Sequence, residues 1–209
     1  MSTNKKLIIF DMDGTLVDSS LTIVNAINHV RSKLGLQALE SALILNKVND
    51  PQLNPALFFY ETEKFTQEHE EWFSSYYTDN HEQELELYEG IKSLLIELKE
   101  KGYHLAISTN AYRGSTLESL THLAVLEYFS SIACFDDVGR GKPAPDMLEK
   151  NLEDLALTIE DAIFVGDSER DLRAANNLKM DYIMINWGFS DYEDAINSVE
   201  KLKEKILEL

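Results

Sequence analysis

The chain is short of the residues that staple or stiffen small folds. Among its 209 residues there is a single cysteine, Cys134. One thiol cannot close an internal disulfide, so an apolar core has to hold the fold, and a reducing compartment suits it. Cys134 lies in the apolar run SSIACF, where a packed small residue is expected rather than a nucleophile. Four prolines and nine glycines are too few for a collagen-like or low-complexity chain. No apolar run reaches membrane-spanning length, and the opening MSTNKK lacks the apolar stretch of a signal peptide. The expectation is therefore a soluble, cytoplasmic protein. Positive charge is scarce as well, with 19 Lys and Arg against 37 Asp and Glu and a formal net charge of −18. Such a surface repels phosphate backbones, which argues against nucleic acid or anionic membrane as a partner. The five histidines, His29, His69, His81, His104 and His122, stand at no metal-binding spacing.

What is present is an ordinary 44% of hydrophobic residues, enough for one substantial domain or a core with a smaller insert. Short apolar runs alternate with helical stripes. KLIIF (6–10), YHLAIS (103–108), SIACF (131–135), AIFVG (162–166) and YIMIN (182–186) have the continuous apolarity of strands buried on both faces. Between them, 90–101 places Ile91, Leu94, Leu95 and Leu98 on one helical face, and Gly102 offers a stop. Further helices are predicted over 115–128, 146–157, 171–179 and the amphipathic tail from Asp191 to Leu209, where Ile196, Val199, Leu202 and Ile206 share a face. Strands alternating with helices imply an α/β fold, a Rossmann-like doubly wound parallel sheet.

Between Val17 and Tyr88 the alternation stops. That region shows helical patterns at 22–35 and 63–81, no good buried strand, and Pro51 and Pro55 as interruptions. The organisation expected is an α/β core formed by 1–16 and 88–209, with 17–87 inserted as an α-helical cap domain. The aromatics Phe58, Phe59, Tyr60, Trp72, Phe73, Tyr76 and Tyr77 read mainly as the core of that cap. Residues 16–88 hold twelve Asp and Glu against four Lys and Arg, an acidic setting for an anionic substrate.

In an open parallel sheet, ligands bind beyond the carboxyl ends of the strands. Asp11, Asp13 and Gly14 follow the first strand. Ser108, Thr109 and Asn110 follow the second, Lys142 comes after the third, and Gly166, Asp167, Ser168 and Asp171 follow the fourth. Asp11, Asp13 and Asp167 offer hard oxygen ligands for Mg²⁺, Lys142 a compact positive charge, and Thr109 and Asn110 short polar donors. Together they suit a transferring phosphoryl group, and the cation and lysine offset the repulsion among clustered carboxylates.

DMDGTLVDS (11–19), STN (108–110), the lysine of GKPAPD and GDSERD (166–171) resemble, in order, the four motifs of the haloacid dehalogenase-like superfamily of phosphohydrolases. The resemblance runs from Lys6 to about Phe189. The insert after the first motif, together with KPAPDML and INWGF, resembles the branch containing phosphoglycolate phosphatase, although Glu89 stands where that branch usually has proline. The resemblance implies that Asp11 attacks phosphorus and Asp13 serves as acid and then base. It implies that Mg²⁺ is held by the Asp11 and Asp167 carboxylates and the Asp13 carbonyl, and that Thr109 and the Asn110 backbone N–H bind phosphoryl oxygens. Lys142 would bridge Asp11 and phosphate, with Asp171 and Ser168 behind the metal. An acid at Asp13 points to phosphate esters, whose alkoxide leaving group needs a proton, rather than to dehalogenation.

Each of these residues also has a plainer reading. Asp11 could be a turn carboxylate, Lys142 a surface lysine, Thr109 a cap on the next helix, Asp18 a turn residue and Arg113 an exposed helix-start arginine. The implied activity is hydrolysis of a small phosphorylated metabolite. The alternatives are a phosphomutase of the β-phosphoglucomutase type, or a non-catalytic protein that binds a phosphorylated ligand. The sequence leaves the oligomeric state open between monomer and dimer.

Overall fold

Five apolar runs in sequence become strands because both faces of the sheet they form find apolar partners. The computed structural model describes residues 5–50, 52–189 and 192–209. Its strands are β1 (Leu7–Phe10), β2 (Val17–Asp18), β3 (Glu86–Leu87), β4 (His104–Ser108), β5 (Ser131–Ala133), β6 (Ala162–Gly166) and β7 (Asp181–Met184). Its α-helices are α1 (Ser20–Lys33), α2 (Ser41–Val48), α3 (Pro55–Tyr60), α4 (Gln67–Glu84), α5 (Ile91–Glu100), α6 (Arg113–His122), α7 (Asp146–Leu155), α8 (Glu169–Leu178) and α9 (Val199–Leu207). Five strands form a parallel sheet in the order β5-β4-β1-β6-β7. Side-chain alternation divides the central strands between two cores. Ile8, Phe10, Leu105, Ile107, Ile163 and Val165 face one cluster with α5 and α9, while Leu7, Ile9, Ala106, Ala162 and Phe164 face a second with α7 and α8. This is the doubly wound α/β arrangement expected.

Local chemistry explains most element ends. α8 opens on a reciprocal cap, with the Ser168 hydroxyl and the Asp171 carboxylate each bonded to the other's backbone N–H. Thr66 and His69 do the same for α4. Asn54 caps α3 and Pro55 occupies its first turn, so Pro55 starts a helix rather than interrupting one. α5 buries Ile91, Leu94, Leu95 and Leu98, as their spacing predicts.

Three expectations change. The helix expected over 115–128 ends at His122 and is followed by a separate 3₁₀ turn at Leu126–Tyr128, because Ala124 takes a left-handed conformation (φ 52°) between them. The tail is helical only over Val199–Leu207, capped by Ser198. Ile196 instead pairs with Ile185 beyond the end of β7, and Asp191 lies outside the described residues. The insert does contain strand: β2 and β3 pair antiparallel, Val17 opposite Leu87 and Asp18 opposite Glu86. Two residues per strand leave no periodicity for a sequence reading to find. Between them α1 to α4 pack around their own cluster of Val24, Ile27, Val30, Ile44, Phe59 and Tyr60, flanked by Trp72 and Phe73. Pro51 and the first four residues of MSTNKK lie outside the described residues. Among the described residues, no helix is long and apolar enough to cross a membrane.

One buried polar residue ties the sheet to α7. Asn151 is fully buried; its Nδ2 donates to the Ile107 carbonyl and to Ser108 Oγ, both at 2.9 Å, and its Oδ1 accepts from Ser131 Oγ at 2.7 Å. Asn151→Ala is expected to cost about 2–3 kcal/mol, because it removes the buried donor to the Ile107 carbonyl and Ser108 Oγ of β4, while Ser131 Oγ of β5 keeps Asp154 Oδ2 at 3.0 Å. A urea titration should show a lower midpoint at unchanged slope; a loss under about 0.5 kcal/mol would contradict this role.

Candidate active site

Numbered by their order in the chain, the strands of the main sheet run 3-2-1-4-5, so the connections leave β1 in opposite directions and open a crevice at its carboxyl end. Phe10 stands opposite Ile107 on one side and Val165 on the other, which brings Asp11 level with Ser108 and Gly166. The Asp11 N–H continues the ladder to the Val165 carbonyl at 2.9 Å. Gly14 then turns the chain at φ 84°, a conformation that strains residues with a side chain. A Cβ there would fall 2.6 Å from Asp167 Oδ2. Gly188 is placed under closer constraint: its Cβ would lie 2.0 Å from the Gly14 carbonyl oxygen. The loop after β7 therefore presses on the turn after β1. Trp187 Nε1 donates to the Thr15 carbonyl, and the Phe189 N–H donates to Asp167 Oδ2, both at 3.1 Å.

Lys142 is the hub. Its Nζ donates to Asp11 Oδ1 at 2.5 Å and to the Ser108 carbonyl at 2.9 Å, and lies 2.6 Å from Asp171 Oδ1 at an angle outside hydrogen-bond geometry. The side chain is buried, so the surface-lysine reading falls away. Asn110 clamps this loop: its Oδ1 accepts from the Lys142 N–H at 2.8 Å and its Nδ2 donates to the Lys142 carbonyl at 3.1 Å. That side-chain task, across 32 positions, has no local sequence signal. Thr109 is buried, and its Oγ1 accepts from the Ala111 N–H. It does not cap α6, which begins after Tyr112 without a side-chain cap.

Asp11, Asp167 and Asp171 each offer a carboxylate oxygen within 4.8 Å of the others. Asp171 thus stands in the same cluster as the expected ligands, with its Oδ2 taken by Ser168 N–H and Oγ. Asp13 Oδ1 and Asp167 Oδ1 are buried without a hydrogen-bond partner. Burial raises the Asp11 carboxyl well above its usual range, opposed by Lys142 and reinforced by Asp171 and Asp167. Burial and the Asp171 charge push Asp167 up to about 7. Asp13 is raised by burial, with the Ser19 hydroxyl and Lys142 working the other way. Burial disfavours the Lys142 ammonium, but Asp11 and Asp171 outweigh it and keep the lysine charged. One lysine among these acids leaves negative charge uncompensated. Hard, buried, unpartnered oxygens beside it fit a small divalent cation such as Mg²⁺.

Three nearby residues have structural tasks. Arg113 grips both oxygens of Asp137, at 2.6 and 2.5 Å, and the Ile132 carbonyl. Asp18 Oδ1 accepts from Ser20 N–H and Oγ at the start of α1. Cys134 is fully buried, and burial pushes its thiol up to about 11, so it is a packed residue as expected.

A doubly wound sheet with acids and a buried lysine gathered at its switch point defines the class: an α/β protein whose crevice suits an anionic ligand and a hard cation. The particular family follows from comparison. The chain belongs to the haloacid dehalogenase-like hydrolases, whose family model matches residues 8–185, and it is a phosphatase of that family. It is 33% identical over 195 residues to the phosphoglycolate phosphatase of Yersinia pseudotuberculosis, covering 90% of this chain and 84% of that protein. It is 29% identical over 184 residues to pyrophosphatase PpaX of Bacillus cereus, covering 86% and 82%. The crystal structure of a predicted phosphatase from Clostridium acetobutylicum superposes with a TM-score of 0.86 at 28% identity, covering 98% of this chain and 99% of that one.

Proposed function

We propose that the chain is a Mg²⁺-dependent phosphatase that hydrolyses a small phosphate monoester through an aspartyl-phosphate on Asp11. The observation that carries this reading is Lys142 Nζ, held at once by Asp11, Asp171 and the Ser108 carbonyl immediately before Thr109. The lysine opposes the burial that raises the Asp11 carboxyl, favouring its ionised form, and presents positive charge where phosphoryl oxygens would sit. Asp11 Oδ forms the new bond to phosphorus as the P–O bond to the leaving group breaks, and Asp13 gives its proton to the departing alkoxide. Asp13 then takes a proton from water, whose oxygen bonds to phosphorus as the Asp11–phosphorus bond breaks and phosphate leaves. Mg²⁺, held by the Asp11 and Asp167 carboxylates and the Asp13 carbonyl, would supply charge neutralisation for the phosphoryl oxygens. Thr109 and the Asn110 N–H would bind the remaining oxygens.

The test is phosphate release from a panel of phosphorylated metabolites with Mg²⁺, including 2-phosphoglycolate and pyrophosphate, which the relatives' names designate. Asp13→Asn is expected to slow alkyl esters by about 10²–10⁴-fold and aryl esters much less, since a phenolate leaves without protonation. Equal losses on both would remove Asp13 from the acid role. Conversion of a sugar phosphate to its isomer without free phosphate would favour the phosphomutase.

A further inference from the structure

The helical insert touches the core at its ribbon, β2 with β3, and along α4 against α6, where the His81 ring lies 5.8 Å from that of His122. A further tie stands apart from both. Arg170, in the first turn of α8, extends its Nη2 to the Val48 carbonyl at 2.8 Å and also to Asn49 Oδ1. The partners are more than 120 positions apart in sequence.

The chemistry of this contact is specific. Val48 is the last residue of α2, and its carbonyl belongs to the helix end that lacks an intrahelical partner. A guanidinium there is paired with the negative end of the helix dipole. Among the described residues Arg170 forms no ion pair, although the chain carries 37 acids. Its charge is committed to neutral acceptors of the insert. α2 itself is lightly held, with Ile44 as its one buried residue. On the core side Arg170 sits between Ser168, which caps α8, and Asp171, which faces Lys142. The tie is therefore rooted in the same turn that carries the acidic cluster.

We propose that Arg170 is a positioning residue, a latch that holds the helical insert in place as a cap over the crevice. Asp11, Lys142, Asp167 and Asp171 are buried in this arrangement; in this proposal ligand exchange accompanies a swing of the cap about the ribbon, which breaks both Arg170 hydrogen bonds. Its consequence for turnover rests on the phosphatase reading above; the latch does not.

Spin labels on Ala42→Cys in α2 and Asn176→Cys in α8 report the cap-to-core distance, since both positions are exposed and Cys134 is buried. Arg170→Ala is expected to reduce the closed-to-open ratio about tenfold, the equivalent of about 1.4 kcal/mol. Asn49→Ala should produce part of that shift and add nothing on top of Arg170→Ala, while Arg170→Lys should recover part of it. In turnover, KM should rise with kcat not reduced. An unchanged distance distribution in Arg170→Ala would overturn the latch, as would additive effects of the two alanine variants or a fall in kcat at constant KM. If the distances shift but the unmodified chain hydrolyses no phosphate ester, the latch stands and the phosphatase reading falls; turnover with unmoved distances gives the reverse.

Discussion

Asp11→Asn is expected to abolish phosphate release, by about 10⁶-fold if the carboxylate is the sole nucleophile. The amide cannot form the acyl-phosphate bond, and its geometry otherwise matches the carboxylate. The variant should nevertheless fold. Lys142 would keep its bond to the Ser108 carbonyl and its contact with Asp171, and one of several repelling buried acids would be gone. In metal-free buffer the melting temperature should therefore stay level or rise, because the Asp11 carboxyl is held in an unfavourable environment when ionised. Loss of turnover together with a raised or equal melting temperature separates chemistry from stability. Turnover that survives the substitution would remove Asp11 as the nucleophile.

The second large effect concerns the protein stripped of divalent cations. Asp167 is raised to about 7 by burial and by Asp171, against an unfolded value of about 3.9. Between those values the native state holds a proton that the unfolded chain has released. By linkage, stability then falls as pH rises through this window, the reverse of the usual carboxylate case. With chelator present, the protein should melt at a higher temperature at pH 5 than at pH 8, its unfolding free energy being larger at pH 5 by an amount of order a few kcal/mol. On the proposed reading, Mg²⁺ would bind the same oxygens that the protons occupy. It should raise the melting temperature strongly at pH 8 and weakly at pH 5; at 100 times its Kd a ligand contributes about 2.7 kcal/mol. Melting that is flat with pH under chelation and indifferent to Mg²⁺ would contradict the fit of a cation to this cluster.

The parts of the fold that sequence made legible are those where one physical signal dominates. Leu7 to Phe10 are apolar in succession because both faces of β1 are covered, and Ile91, Leu94, Leu95 and Leu98 recur at helical spacing because one face of α5 is. The convergence of Asp11, Lys142 and Asp167 could be inferred because a parallel sheet carries every strand's carboxyl end to one edge. What sequence left dark depends on tertiary contacts or on very short elements. β2 and β3 are two residues each, α3 is six, and Pro55 reads equally as an interruption or as a helix start. Asn110 as the clamp on Lys142, Asn151 as the pin under β4 and Arg170 as the tie to α2 are all polar residues whose partners lie far away in the chain. Asp171 places one carboxylate oxygen in the cluster with Asp11 and Asp167, while its other oxygen takes the Ser168 N–H and hydroxyl.

The central claim is that folding delivers Asp11 to a phosphoryl group. Its most direct test is acid quenching during turnover of a phosphate ester labelled on phosphorus, followed by peptide mapping. The account predicts label in the peptide containing Asp11, absent from Asp11→Asn. Sustained phosphate release with no label on that peptide, or with label on another residue, would contradict it.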